Sequence, residues 1–139
     1  MEGKRGSECL LKSVSNIDFN PRLFKQTLAT TGITLTKALA NNINAASALY
    51  VGPYRPVFMP ETSEVVINLV YNKDDHQILG AQFYGEYDLT QSANAISISI
   101  QNHNTIEDLA YTDMLFNPFY DQPVNYLNQV AQMAIDQEA

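Results

Sequence analysis

Two histidines, one cysteine and fifteen carboxylates have the widest chemical repertoire in this chain, and their spacing assembles no reactive set. His76 stands in the charged stretch Asn72-Lys73-Asp74-Asp75-His76-Gln77 and His103 in Gln101-Asn102-His103-Asn104-Thr105. Neither lies at ligand spacing from a cysteine or a second histidine, so both read as solvated loop residues. Asp74-Asp75 could hold a cation, but adjacent acids in a turn more often serve solubility. Cys9 has no nearby histidine or helix start to activate it and reads as an incidental thiol. Ser97 and Ser99 lack a Gly-x-Ser-x-Gly setting, and the six glycines form no phosphate-cradling Gly-x-Gly-x-x-Gly or Gly-x-x-x-x-Gly-Lys-Ser turn. No catalytic residue and no metal ligand is assigned.

What stands out instead is a pair of proline-fixed aromatic segments, Pro53 to Pro60 and Phe116 to Pro123. The first contains three prolines, each of which removes a ladder donor, so it is expected to be a fixed loop displaying Tyr54, Arg55 and Phe58. Rigid aromatics held this way either fill the core or form a surface for another chain or a flat ligand, where they bury large area at little entropic cost. Residue types alone do not separate the two.

The elements that must carry these loops are legible from periodicity. Glu64 to Tyr84 reads as two strands around a polar turn. Val65, Ile67, Leu69 and Tyr71 alternate with Val66, Asn68 and Val70, so both faces are apolar and the strand belongs inside a sheet. Gly80 marks a bulge or a close backbone neighbour. Upstream, a turn at Asn20-Pro21 precedes a strand through Leu28, a short helix opens at Thr34 with Leu35, Ala38 and Leu39 on one face, and Asn41-Asn42 stops it. Ala45 to Val51 is a further strand.

Downstream, Asp88-Leu89-Thr90-Gln91 fits a capped helix start, with Gln91 placed to reach back. Ile96, Ile98 and Ile100 alternate with serines as a strand would, yet Leu89, Ala93, Ile96 and Ile100 form a helical stripe; the cap and the length to Asn102 decide for helix. Thr105-Ile106-Glu107-Asp108 repeats the capping logic and buries Ile106, Leu109 and Ala110. Pro123 is expected in the first turn of a last helix, whose stripe is Leu127, Val130, Ala131, Ala134 and Ile135. The pattern strand, helix, strand, hairpin, helix, helix defines an α+β fold, a mainly antiparallel sheet with helices packed on one face.

At 139 residues the chain is one domain's worth and needs no disulfide or metal to bury a core. Its net charge of −7 argues against general nucleic-acid binding, which needs clustered cations. No apolar run reaches the roughly 18 residues of a membrane span and no signal peptide is legible, so the cytoplasm is the expected compartment. Residues 1–25 hold five basic and three acidic residues, a balance of +2; the remainder holds three basic and twelve acidic, a balance of −9. The first 22 residues are accordingly taken as an unassigned tail or remnant, and residues 23–139 as the domain.

At the same residues the chain resembles the C-terminal interface, or dimerisation, domain of the flavin-dependent pyridine nucleotide-disulfide oxidoreductases, most of all the NADH oxidase branch, with NADH peroxidase and CoA-disulfide reductase as relatives. The resemblance runs from Leu28-Ala29-Thr30-Thr31-Gly32-Ile33-Thr34 through Tyr54 to Pro60, Val70 to Gln82, Tyr87 to Asn94, Thr105 to Ala110 and Phe116 to Asn128. It implies a homodimer in which aromatic loops reach the flavin and redox cysteine of the partner subunit. By position, Tyr54, Pro118, Phe119 and Tyr120 would line that flavin site, excluding water from chemistry carried elsewhere. Phe119 and Val124 stand where such oxidases often carry His and Trp, which removes an imidazole from the loop.

FAD and NADH are implied for a full-length parent, whose two nucleotide domains precede this one; the 139 residues by themselves are expected to bind neither. They therefore read as an excised piece or an orphan domain, inactive alone. A free-standing binding module for a small molecule or protein is the alternative, and an intact small enzyme is the least supported. Neither nucleic acid nor membrane is an expected partner.

Overall fold

The computed structural model describes residues 26–139, and the tail, Cys9 and the Asn20-Pro21 turn lie outside the described residues. Four strands, β1 (Thr27–Gly32), β2 (Ala45–Pro53), β3 (Glu64–Asn72) and β4 (Ile78–Gly85), form an antiparallel sheet in the order β1-β4-β3-β2. Between and after them come the helices α1 (Leu35–Ala40), α2 (Thr90–Gln101), α3 (Ile106–Ala110) and α4 (Tyr126–Glu138). This is the expected α+β class, with the β3–β4 hairpin at the centre of the sheet.

Hydrophobic alternation explains the layers. Val65, Ile67, Leu69 and Tyr71 of β3 join Phe83 and Ala81 of β4 on one face, where α2, α3 and α4 cover them with Leu89, Ile96, Ile106, Leu109, Val130 and Ala134. Each of the fully buried Leu, Ile and Phe side chains contributes about 1.5–3 kcal/mol relative to exposure. Helix α2 packs over β1 and β4, and α4 over β2 and β3, with α3 laid against α4. Tyr71 reaches through this layer to donate to the Glu138 carboxylate at 2.9 Å, pinning the end of α4 to the sheet.

Among the described residues, the opposite face is covered at one end by α1, through Ala38 against Ala45 and Val70, and is otherwise open. Leu28, Leu49, Val51 and Tyr84 are exposed there. In the register, Leu28 faces Tyr84, Tyr84 faces Val66, and Val66 faces Val51, so these side chains run as a row across all four strands. The apolar character of both faces of β3 placed it inside the sheet, as observed; of this second face the described residues cover only the end beneath α1.

Gly80 has the close backbone neighbour expected of it. A Cβ there would overlap the carbonyl and amide of Ile33, and one on the opposed Gly32, whose φ is +67°, would overlap the backbone of Leu79 and Gly80. The ladder slips beside this contact, between Val70 and Tyr71, leaving Leu79 as the extra residue. The polar turn that follows β3 consumes its own acids: Asn72 Oδ1 accepts from the Asp74 amide, Asp75 Oδ1 from the Gln77 amide, and Asp74 Oδ1 from Asn44 Nδ2.

Local boundaries differ from expectation in several places, each with a physical reason. The first described strand starts at Thr27 and runs on to Gly32 instead of ending at Leu28, because its pairing with β4 continues to Gly80. In α1, Thr34 caps and Asn42 stops the helix at φ +59°, but Leu39 is 53% exposed, so Ala38 is the buried residue of that face. Asp88 accepts from the Thr90 amide and hydroxyl, which hold its carboxyl below the usual range, whereas Gln91 bonds Asn94 rather than reaching back. The last helix is capped by Asn125, so Pro123 stands ahead of it and not in its first turn.

The α3–α4 contact depends on one polar side chain. Buried Asn128 donates from Nδ2 to the carbonyls of Leu109 at 2.9 Å, Thr112 at 3.0 Å and Ala110 at 3.3 Å, tying α4 to the end of α3 and the turn after it. Asn128→Leu is expected to cost about 2 kcal/mol in urea unfolding, with an unchanged m value, because the bonds from one buried amide to three carbonyls are lost together.

Candidate functional site

Of the groups first weighed for chemistry, Ser97, Ser99 and His76 are occupied with the fold. Ser97 bonds Thr31 Oγ1 at 2.5 Å and donates to the Ala93 carbonyl, and Ser99 donates to the Ala95 carbonyl, so both hydroxyls are used within and against α2. His103 takes φ +56° just past the end of α2, where the following amide, Asn104, bonds back to the Ser99 carbonyl. His76 takes φ +61°, accepts the Ile106 amide on its carbonyl, and sets Nδ1 2.5 Å from Glu107 Oε1. Among the described residues, no group of three His, Cys, Asp or Glu side chains converges as a metal site would require.

The His76–Glu107 pair gives α3 an acid-sensitive tie to the hairpin turn. Burial pushes the Glu107 carboxyl up, but hydrogen bonds from the His76 ring and the backbone outweigh it and hold the group below its ordinary value. The sign follows: the contribution is present above the unfolded carboxyl range near ~4.3 and is lost as pH falls through the lower folded value. At 41% exposure the pair is screened, so Glu107→Gln should cost well under about 1 kcal/mol at pH 7 in thermal unfolding, and progressively less as the pH is lowered through the carboxyl range.

The proline-fixed loops, by contrast, are brought together. The first leaves β2 at Pro53 and returns to β3 at Glu64, and the Tyr54 amide prolongs the pairing by donating to the Ser63 carbonyl at 3.2 Å. A turn closes it, Met59 N to Pro56 O, and Thr62 Oγ1 donates to the Arg55 carbonyl. The second loop is folded by its own ends: Asn117 Oδ1 accepts from the Phe119 amide, the Asn117 carbonyl accepts from the Tyr120 and Asp121 amides, and buried Asp121 accepts from the Asn117 amide at 2.8 Å. Pro118 sits inside this ring of bonds, half-buried.

Two side chains cross between the loops. Arg55 donates to the Phe119 carbonyl at 3.0 Å, and Gln122 donates from Nε2 to the Arg55 carbonyl at 3.0 Å and the Pro53 carbonyl at 3.3 Å. Tyr54 lies beneath them. It is 7% exposed, and its ring stacks on Tyr87 with centroids 3.9 Å apart and planes 10° from parallel. The expectation that Tyr54 is displayed is therefore corrected: its Pro53 anchor turns the ring inward onto the start of α2, where burial also pushes the Tyr87 and Tyr126 phenols above their ordinary value.

Above this floor, Phe58, Phe119 and Tyr120 are 78%, 64% and 61% exposed, with Val57, Leu115, Phe116 and Val124 also exposed. Among the described residues, no nucleophile or acid–base pair converges on these groups, and what the loop surface presents is apolar area that can exclude water. The sequence reading missed Gln122, Asn117 and Asp121. The Asn-Pro and the acid four residues on were the available signal for the second loop's closure; nothing in the sequence marked the reach of Gln122.

Gly32 and Gly85 end the strands that run into α1 and α2, but neither belongs to a Gly-x-Gly-x-x-Gly run of the sort that cradles a pyrophosphate.

Residues 23–126 match the sequence profile of the pyridine nucleotide-disulphide oxidoreductase dimerisation domain, and the chain belongs to that family. Among curated proteins it is 43% identical over 114 residues to an NADH oxidase of Enterococcus faecalis, covering 82% of this chain and 26% of that protein. It is 37% identical over 110 residues to an NADH oxidase of Streptococcus pyogenes, covering 78% and 24%. Of solved structures, the water-forming NADH oxidase from Lactobacillus brevis bound to NADH superposes with a TM-score of 0.81 at 46% identity, over 84% of this chain and 26% of that one. The chain thus spans about a quarter of the length of these relatives.

Proposed function

We propose that this chain is the dimerisation domain of an FAD-dependent, NADH-oxidase-like oxidoreductase of the cytoplasm. It supplies the two-fold interface and presents its aromatic loops as a wall of the partner subunit's flavin site. The observation that carries the reading is the linked loop pair, exposed and apolar on top yet hydrogen-bonded into a fixed shape beneath. A flexible loop would lose entropy on docking; a pre-shaped aromatic surface loses little.

In this reading Pro118, Phe119 and Tyr120 form the wall, and Tyr54 supports it from below through its stack on Tyr87. FAD would supply electron transfer from NADH to the acceptor; the residues of this chain would only exclude water and fix the shape of the site. Phe119 offers no imidazole there, and the one protic group among the three wall side chains is the Tyr120 hydroxyl.

Light scattering of the purified 139 residues tests the reading: a dimer at micromolar concentration and no flavin absorbance are expected. A strict monomer at high micromolar concentration would overturn it.

A further inference from the structure

We propose that Arg55 is the positioning residue that binds the two aromatic loops into one rigid unit, and so sets where Phe119 and Tyr120 stand. This rests on the reading of those loops as the wall of a partner's flavin site.

Arg55 uses its planar fork in three directions at once. One terminal nitrogen donates to the Phe119 carbonyl at 3.0 Å, across 64 residues of sequence. The other donates to the Pro60 carbonyl, at the far end of its own loop. The guanidinium carbon lies 5.2 Å from the centroid of the Tyr54 ring, which is itself stacked on Tyr87. One cation therefore joins the tip of the second loop, the return limb of the first and the aromatic floor below both.

The chemistry favours a guanidinium at this position. Charge-assisted bonds to carbonyls are about twice as strong as neutral ones, and the flat fork can reach two acceptors while lying over a ring. A lysine ammonium reaches one point. The Arg55 Nε is buried and bonds nothing, a desolvation cost held in place by the other two arms. Meanwhile the backbone carbonyl of the same residue receives Thr62 Oγ1 and Gln122 Nε2, so the peptide that carries the fork is itself fixed.

Arg55 is outside the hydrophobic core, and the Phe119 carbonyl belongs to an exposed loop. Its loss should thus release the second loop without unfolding the sheet. The test is amide hydrogen exchange by NMR on the 139-residue chain. The Phe119, Tyr120 and Asp121 amides report the second loop, and those of Ile67 and Leu69 in β3 report global opening.

Arg55→Met should speed exchange at the loop amides by about tenfold while leaving the β3 amides at wild-type rates. Arg55→Lys should behave like the methionine variant, because it lacks the fork. Loop amides unchanged in Arg55→Met overturn the proposal, as does equal acceleration of loop and β3 in both variants, or full recovery by lysine. Light scattering on the same samples separates the two claims. A monomeric wild type would refute the dimer reading, while the exchange rates still decide the role of Arg55.

Discussion

Tyr54→Ala is expected to destabilise the isolated 139-residue chain by about 3–5 kcal/mol in urea unfolding, the cost of removing a large aromatic from a packed core. Tyr54 is one of the core residues that join the sheet to the loop floor, and the substitution deletes both its contact with Tyr87 and the ring beneath Arg55. Tyr54→Phe, which keeps the ring, should cost under about 1 kcal/mol. A residue whose only role was to touch a partner's flavin would behave otherwise. Truncating it would leave the isolated chain within about 0.5 kcal/mol of wild type. The loss of stability, read without any flavin present, therefore distinguishes floor from wall.

The second large effect is on association. Phe119→Glu combined with Tyr120→Glu places two carboxylates where the proposed interface presents exposed rings. The dimer dissociation constant should rise at least about 100-fold, or about 2.7 kcal/mol, as for loss of an aromatic anchor with burial of unpaired charge. The folded monomer should remain within about 0.5 kcal/mol of wild type, since both side chains already face solvent. Sedimentation equilibrium reads the first quantity and urea unfolding the second. Should the double variant dimerise as tightly as wild type, the loop face is not the contact. Leu49→Lys, on the open sheet face, would then be the substitution expected to dissociate the dimer.

Much of the scaffold was legible because its signals are local or strictly periodic. Period-two alternation in β3 placed Val65, Ile67, Leu69 and Tyr71 in the core and the strand within the sheet. Capping chemistry located α3, where Thr105 and Asp108 form the reciprocal pair. The ambiguous Ile96–Ile98–Ile100 run resolved as helix: the stripe through Leu89, Ala93 and Ile96 finds the sheet, while Ile98 is left exposed. Boundaries were less legible. Pro123 suits a first helical turn on its own chemistry, yet Asn125 is the residue whose side chain accepts the Leu127 amide.

The sequence by itself determined the α+β class, the central hairpin, the capped helices and the presence of two proline-fixed aromatic segments, because each depends on residues within a few positions of one another. Only the tertiary structure decided which aromatic is floor and which is surface. Tyr54 and Phe119 have similar local neighbourhoods of proline and aromatic residues; the difference is the Tyr87 ring, 33 positions beyond Tyr54, against which one of them packs. The same holds for the bonds of Arg55 and Gln122 between the loops, whose partners lie 64 to 69 positions away. Burial and long-range hydrogen bonds are properties of the closed chain, and no local propensity encodes them.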